Sequence, residues 1–314
     1  MSQHVTVLCW NLKRNGAGDT TKRRRAHELL ASLDPHLVLR QEMDGAAADG
    51  NRIMYEVEAV LGLRGWLGPR ACTAVFANPT LFQPLRECED VGPVWVHPPT
   101  VAVFRFTPGG SQSLPLVVAS YHLNHASATT RQAEVERLTK WADRKWTMPD
   151  GERMLMPALM GGDNNSYPVP GLEGDLPLPD LEQIADRPHR LHRSHIGPDG
   201  QRLLDTCPDE ALRTAGLEDV ARYWASTRDG DKAAASRTMN ASPTHGPDTR
   251  IDRIYATPAL LGAVRDFDVI EVEPGISDHH IVRLTLDADR LTDALTYRPR
   301  RQAAPAVASE TIDD

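Results

Sequence analysis

Short apolar runs, each followed by a polar residue, recur along this chain and set out its predicted elements. Residues 4–10 (His-Val-Thr-Val-Leu-Cys-Trp) form a predicted strand, and Asn11 ends it. Thr20 or Thr21 is the expected cap of a helix reaching about Leu33, with Ala26, Leu29, Leu30 and Leu33 on one face, and Pro35 breaks it. Residues 37–41 make a second strand with Glu42 at its end, and residues 52–61 a helix closed by Gly62. Three further strands, 71–77, 100–106 and 116–121, are separated by Pro- and Gly-rich turns, and the third runs directly into His122-Leu123-Asn124. A helix is expected over 129–145, then a short strand at 156–160 that ends in Gly161-Gly162-Asp163-Asn164-Asn165.

Residues 166–204 are rich in Pro, Gly and charge and are expected to form a long surface excursion. A short helix at 209–216 precedes a strand at 249–257 that carries Arg250-Ile251-Asp252-Arg253-Ile254. A brief helix after Pro258 and a strand at 267–272 lead to Gly275-Ile276-Ser277-Asp278-His279-His280, which opens a final alternating strand at 281–286. His280 should face away from His279 there. Beyond about Asp289 the apolar period disappears, which predicts one domain over 1–288 and a disordered tail over 289–314.

Composition changes this picture little. With 314 residues, 40% apolar and 25% charged, the chain can bury a core without staples. The four cysteines show no zinc spacing, and Cys9 and Cys72 sit in apolar runs as expected core residues. No run has the length of an export signal or a membrane span, so a reducing, cytoplasmic setting and no membrane partner are expected. A net charge of −8 argues against a surface that is a nucleic-acid clamp throughout. A local basic group (Lys13, Arg14, Lys22, Arg23, Arg24, Arg25) nonetheless follows Asn11, and a solvated helix start is its default reading.

The informative feature is where the polar residues fall. Asn11, Glu42, His122, Asp163 and Asn165 each follow a strand, and Asp252 and Asp278-His279 stand at or near the start of later ones. Strand ends line one rim of a packed sheet, so such residues can converge while the runs between them stay buried. Taken singly, each has a plain explanation as a turn former, a cap or a solvated acid.

In order, Trp10-Asn11, Gln41-Glu42, His122-Leu123-Asn124, Gly162-Asp163-Asn164-Asn165, Arg250-Ile251-Asp252-Arg253-Ile254 and Ser277-Asp278-His279 resemble the motifs of the endonuclease/exonuclease/phosphatase superfamily. The resemblance covers residues 4 to about 286. It implies a deoxyribonuclease I-like α/β fold, a two-sheet sandwich with outer helices, whose rim hydrolyses a phosphoester with Mg²⁺ or Mn²⁺. It implies Glu42, Asn11 and Asp278 as the metal side, and His122, Asp163, Asn165, Asp252 and His279 as catalytic. His279 would exchange a proton with Asp252 on its other nitrogen, and the sequence leaves open whether Asp163 or His279 takes the proton of water. Asn124, Lys13 and Arg14 would contact substrate, expected to be DNA or RNA, with a small-molecule or lipid-headgroup phosphatase and a silent binding scaffold as alternatives. The carboxylate that pairs with the first histidine in the deoxyribonuclease branch has no clear counterpart; Glu56 and Glu58 stand nearest by position, with solvated helix acids as their default. His189, His192 and His195 recur every three residues, but among Arg187, Arg190 and Arg193 they are expected to form a cationic surface rather than a metal site.

Overall fold

The structure is a computed structural model that describes residues 3–171, 175–227 and 230–297. In chain order its strands begin with β1 His4–Asn11, β2 Leu37–Gln41, β3 Arg64–Leu67, β4 Thr73–Ala77, β5 Phe82–Cys88, β6 Thr100–Phe106, β7 Leu116–His122, β8 Lys145–Thr147 and β9 Arg153–Leu155. They continue with β10 Ala158–Asp163, β11 Ser194–Ile196, β12 Arg202–Leu204, β13 Glu218–Asp219, β14 Asp252–Ala256, β15 Val264–Ile270 and β16 Ile281–Asp287. One six-stranded sheet has the order β15-β16-β1-β2-β4-β3 and the other β13-β14-β10-β7-β6-β5; β8-β9 and β11-β12 are separate hairpins. Each large sheet has a parallel pair at its centre, β1 beside β2 and β7 beside β10, and the remaining pairs are antiparallel. This is the expected two-sheet α/β sandwich.

Side-chain alternation assigns each strand residue to a layer. In β1, Val5, Val7 and Cys9 enter the core between the sheets, while Leu8 and Trp10 enter a second core under the helices α1 Thr20–Ser32 and α2 Ala48–Leu61. In β7 and β10, Leu116, Val118 and Leu159 face the first sheet, and Val117, Ala119, Ala158 and Met160 face a third core. That core lies under α3 Ala128–Thr139 and α5 Cys207–Thr214, through Val135, Leu138 and Leu212. Central strands covered on both faces read as near-continuous apolar runs, which is why the sequence marks them so clearly.

Several boundaries differ from expectation. Asp19, not Thr20 or Thr21, caps α1: its carboxylate accepts the Lys22 N–H. Helix α3 ends at Thr139, residues 140–143 form a turn, and the β8-β9 hairpin begins at Lys145. Short, half-exposed strands β3 and β5 lack an apolar run and escape a pattern search. The domain also extends past residue 288. After α4 Arg187–His192, α6 Val220–Ser226 and α7 Pro258–Leu261, a last helix, α8 Ala288–Ala294, buries Leu291 and Leu295 at the edge of the central core. The Leu295 carbonyl accepts the Leu114 N–H at 2.8 Å, which ties this helix to the second sheet. The predicted tail therefore does not begin at Asp289, and residues 298–314 lie outside the described residues. Two leucines are too few to show a helical period.

Among the described residues, no helix is long and apolar enough to cross a membrane. All four cysteines are free.

Helix α8 should contribute to stability as core, not as an appendage. Leu291→Ala is expected to cost about 2–5 kcal/mol, the range for a buried leucine. Urea unfolding of the purified variant measures it; a midpoint equal to that of the parent protein would show α8 to be dispensable.

Candidate active site

The alternation that builds the central core also builds this site. Asn11 continues the inward series Val5-Val7-Cys9, Gln41 continues Leu37-Leu39, and His122 continues Leu116-Val118-Ser120. Asp163 and Asp252 stand in the same relation to Leu159 and Ile254. Register does the rest: Asn11 lies opposite Gln41, while Asp163 lies opposite both His122 and Asp252. All five therefore point into the space between the sheets at one rim.

They meet there. The Asn11 Nδ2 amide donates to Glu42 Oε1 at 3.0 Å and to Asp163 Oδ2 at 3.1 Å, joining the first sheet to the second. Glu42 leaves β2 with a left-handed backbone (φ 56°), an arrangement that strains a non-glycine residue unless its surroundings enforce it. Here the second carboxylate oxygen accepts the Arg14 N–H at 2.6 Å. The turn Lys13–Gly16 that presents this N–H is held from below by buried Arg40, which donates to the Trp10 carbonyl and contacts Asn15 Oδ1. Asp163 Oδ1 accepts the Asn165 N–H at 2.7 Å.

On the other side, His279 Nδ1 lies 2.8 Å from Asp252 Oδ2. Trp10 Nε1 donates to the His279 carbonyl, and Ser277 Oγ donates to that of Asn11, so the His279 loop is anchored on β1. With Nδ1–H committed to Asp252, Nε2 faces Asp278 Oδ1 at 4.0 Å. Burial alone would lower the His279 pKa, but the Asp252 carboxylate and its hydrogen bond outweigh this and raise it to about 10. Asp163 is held below the usual carboxylate range: burial opposes this, and the cations of His279 and His122 prevail. Asp278 forms an ion pair with Lys13 at 2.6 Å.

His122 has a different environment from the one expected. Its Nε2 is 3.6 Å from Asp163 Oδ2, while its Nδ1 faces Cys72 Sγ, also at 3.6 Å, and the His97 ring stacks on it. Burial would lower the His122 pKa, but Cys72 and Asp163 raise it to about 9. Neither Glu56 nor Glu58 partners it: Glu56 pairs with Arg52 and Arg23, and Glu58 with Arg64 and the Gly65 N–H. Cys72 is thus not the inert core residue its apolar run suggested.

Other expectations are corrected by what the side chains touch. Asn124 Oδ1 accepts the N–H groups of Ala126 and Ser127, so this residue shapes the turn before α3 instead of reaching toward a substrate. Asn165 Nδ2 donates to the Leu123 carbonyl at 2.8 Å, so its amide supports the loop while its backbone N–H orients Asp163. Arg14 reaches Asp44 at 3.8 Å, and Arg23, Arg24 and Arg25 pair with Glu56, Glu28 and Glu273, so acids largely offset the basic group. His280 turns away as expected, with Nδ1 accepting the Val272 N–H. Of the spaced histidines, His189 packs on His245, whereas His195 lies beside Asp205 and Cys207, so the three form no common site.

One further candidate carries no clear signal in the sequence. Arg193, assigned to a cationic surface, is 5% exposed, and its Nε has no hydrogen-bond partner. Burial depresses its pKa, and Asp163 is the carboxylate that most opposes this shift. A buried guanidinium with an unpartnered N–H is suited to an anion. Its only sequence signal is its place just before β11.

The oxygen-rich set fits a hard divalent cation. Asn11 Oδ1, Asp252 Oδ1 and Asp278 Oδ1 are buried acceptors with no donor, an arrangement that is costly unless a cation or water meets them. Asp163, Asp252 and His279 also bring ligand atoms within 4.8 Å of one another.

No family model and no curated protein matches the chain. Solved structures do. The AP endonuclease from Archaeoglobus fulgidus aligns with TM-score 0.58 and 14% identity over 90% of this chain and 99% of its own. TDP2 of D. rerio complexed with single strand DNA product gives 0.57 and 14% over 90% and 99%. The endonuclease/exonuclease/phosphatase from Bacteroides vulgatus gives 0.57 and 16% over 91% and 99%. The chain has the sandwich fold of these structures, as the motif order implied; at such identities the likeness speaks for the fold alone.

In metal-free protein at pH 7, His279 should carry protons on both nitrogens, because its pKa lies near 10 in the fold. Nitrogen-15 NMR of the imidazoles reads this directly. Asp252→Asn should bring the titration down by more than one unit, and an unchanged titration would remove Asp252 as its partner.

Proposed function

We propose that this protein is a divalent-metal-dependent phosphoester hydrolase, and that its substrate is a phosphodiester of nucleic acid. The observation that carries the reading is the Asn11 amide bridging Glu42 and Asp163 beside the His279–Asp252 pair. Both halves of a hydrolytic site, cation ligands and a proton-transfer pair, are thereby within reach of one phosphorus.

A phosphodiester is anionic, so water attacks it slowly until charge is offset and the water is oriented. When bound, Mg²⁺ or Mn²⁺ would offset charge and polarise a phosphoryl oxygen. Glu42 and Asn11 Oδ1 would hold it, with Asp278 as a further oxygen donor. Asp163, fixed by the Asn11 amide and the Asn165 N–H, orients the attacking water. The proton of that water passes to Asp163, or to His279 Nε2 in those molecules whose imidazole is neutral. Asp252 keeps the imidazole in one orientation and stabilises its charged form. His122 Nε2 and Arg193 present N–H groups to the non-bridging oxygens, where negative charge develops.

The choice of nucleic acid rests on two supports. A cleft of about 670 Å³, lined by Lys13, Arg237, Asn240, His245, Asp278 and His280, opens beside the His279 loop and is large enough for a nucleotide. In addition, TDP2 of D. rerio, which shares the fold, is complexed with single strand DNA product.

Purified protein should be incubated with Mg²⁺ or Mn²⁺ and single-stranded DNA, duplex DNA, RNA, bis(p-nitrophenyl) phosphate or p-nitrophenyl phosphate. Cleavage of a nucleic acid and of the diester is expected, with full loss in chelator. His279→Ala should lower the rate by on the order of 10²–10³ without changing the unfolding temperature. Hydrolysis of the monoester alone would point to a phosphatase, and no metal-dependent turnover on any substrate would leave a binding scaffold.

A further inference from the structure

We propose that Cys72, His97 and His122 form a second cation site, of borderline-soft character, that takes Zn²⁺. It lies beside the oxygen-rich site but is chemically distinct from it, and it stands whether or not the protein is a hydrolase.

The three side chains arrive from separate parts of the chain: the turn before β4, the loop before β6 and the end of β7. Their ligand atoms all lie within 4.8 Å of one another. Zn²⁺ binds thiolate sulfur at about 2.3 Å and imidazole nitrogen at about 2.0–2.1 Å in a tetrahedral arrangement, which sets sulfur and nitrogen about 3.5 Å apart. The Cys72 Sγ to His122 Nδ1 separation is 3.6 Å, so this pair already stands at ligand spacing. The His97 ring stacks on that of His122, at 12° with centroids 5.3 Å apart, and would turn about its side-chain bonds to aim its nitrogen at the cation as the third donor.

A thiol–imidazole contact joins Cys72 to His122 and ring stacking brings His97 to His122, and together they gather a thiol and two imidazoles around one point. The His97 loop is held in place: Arg70 donates to the carbonyls of Trp95 and Val96, and Glu134 accepts the Val96 N–H. Cys72 is fixed in turn by the Met43 N–H on its carbonyl. Two donors are buried and His97 is half-exposed, which leaves a route in and a fourth position for water.

The group His195, Asp205 and Cys207 is a weaker rival, because Arg131 already neutralises Asp205 at 2.6 Å. Binding through His122 Nδ1 would also require that ring to keep its proton on Nε2, toward Asp163. A cation in the soft site would thus fix His122 as a donor to the neighbouring one.

Co²⁺ is a spectroscopic stand-in for Zn²⁺ and can be titrated into metal-free protein with excess Mg²⁺ and no substrate. One equivalent should produce a thiolate-to-cobalt charge-transfer band in the near ultraviolet and tetrahedral bands in the visible, both removed by Zn²⁺. Cys72→Ser should abolish the charge-transfer band, and His97→Ala should weaken binding at least about tenfold. Cys207→Ser and Glu42→Gln should leave the spectrum intact, which separates this site from its rival and from the hydrolytic metal. No charge-transfer band, a band that survives Cys72→Ser, or a band lost with Cys207→Ser overturns the proposal. If Cys72→Ser does not fold, unaltered affinity in His97→Ala overturns it equally.

Discussion

The site depends on one polar contact between two sheets: the Asn11 amide, which holds Glu42 with one hydrogen bond and Asp163 with the other. That contact exists only because the sheets approach closely at this rim. A Cβ on Gly161 would come within 2.7 Å of Leu39 and 3.3 Å of Cys9 Sγ, so glycine lets the inner faces meet. A Cβ on Gly162 would collide with the Tyr121 carbonyl at 1.9 Å, so glycine is needed there for β10 to lie against β7. Just inside the rim, Gln41 Nε2 donates to Ser120 Oγ, which donates to the Arg40 carbonyl. This buried link between the sheets restricts their sliding, and a displacement of about an ångström would break the Asn11 bridge.

Electrostatics then sets what the rim can do. Glu42, Asp163, Asp252 and Asp278 are crowded together, and His122, His279, Lys13 and Arg193 are interleaved with them. A cation or N–H group faces each acid, and three acceptor oxygens remain unmet. Behind the rim, buried arginines fix the long excursion. Arg250 binds Asp219 and Asp175, Arg222 binds Asp175 and Asp209, and Arg131 joins Asp205 to the carbonyls of Asn124 and His192. Buried ion pairs of this kind add little net stability, but removing one partner strands the other, so they specify position. Arg193 can be presented to the rim because the segment carrying it is pinned in this way.

The legible part of the site was the part written in strand parity. Asn11, His122, Asp163 and Asp252 follow or open apolar runs, and the alternation of those runs dictates which way the polar residue points. Motif order supplied Glu42 and the Asp278-His279 pair, and the structure brings Glu42, Asp163, Asp252 and His279 to one rim. Illegible were features that depend on tertiary neighbours. Arg193 sits among charged residues in an irregular segment, where burial has no sequence period. Cys72 reads as core until His97 and His122 are brought to it. Asn124 has the right place in its motif but spends its oxygen on a local turn, a competition that side chains of this type often win. Helix α8 was lost because two buried leucines do not make a pattern.

The claim at the centre is that the amide between Glu42 and Asp163 marks a cation site. Anomalous diffraction from crystals of the protein grown with Mn²⁺ tests it most directly. A peak is expected within ligand distance of the Glu42 carboxylate and Asn11 Oδ1, and it should vanish in Glu42→Gln crystals. Saturating Mn²⁺ with no peak at that position, or a peak only elsewhere on the molecule, would contradict it.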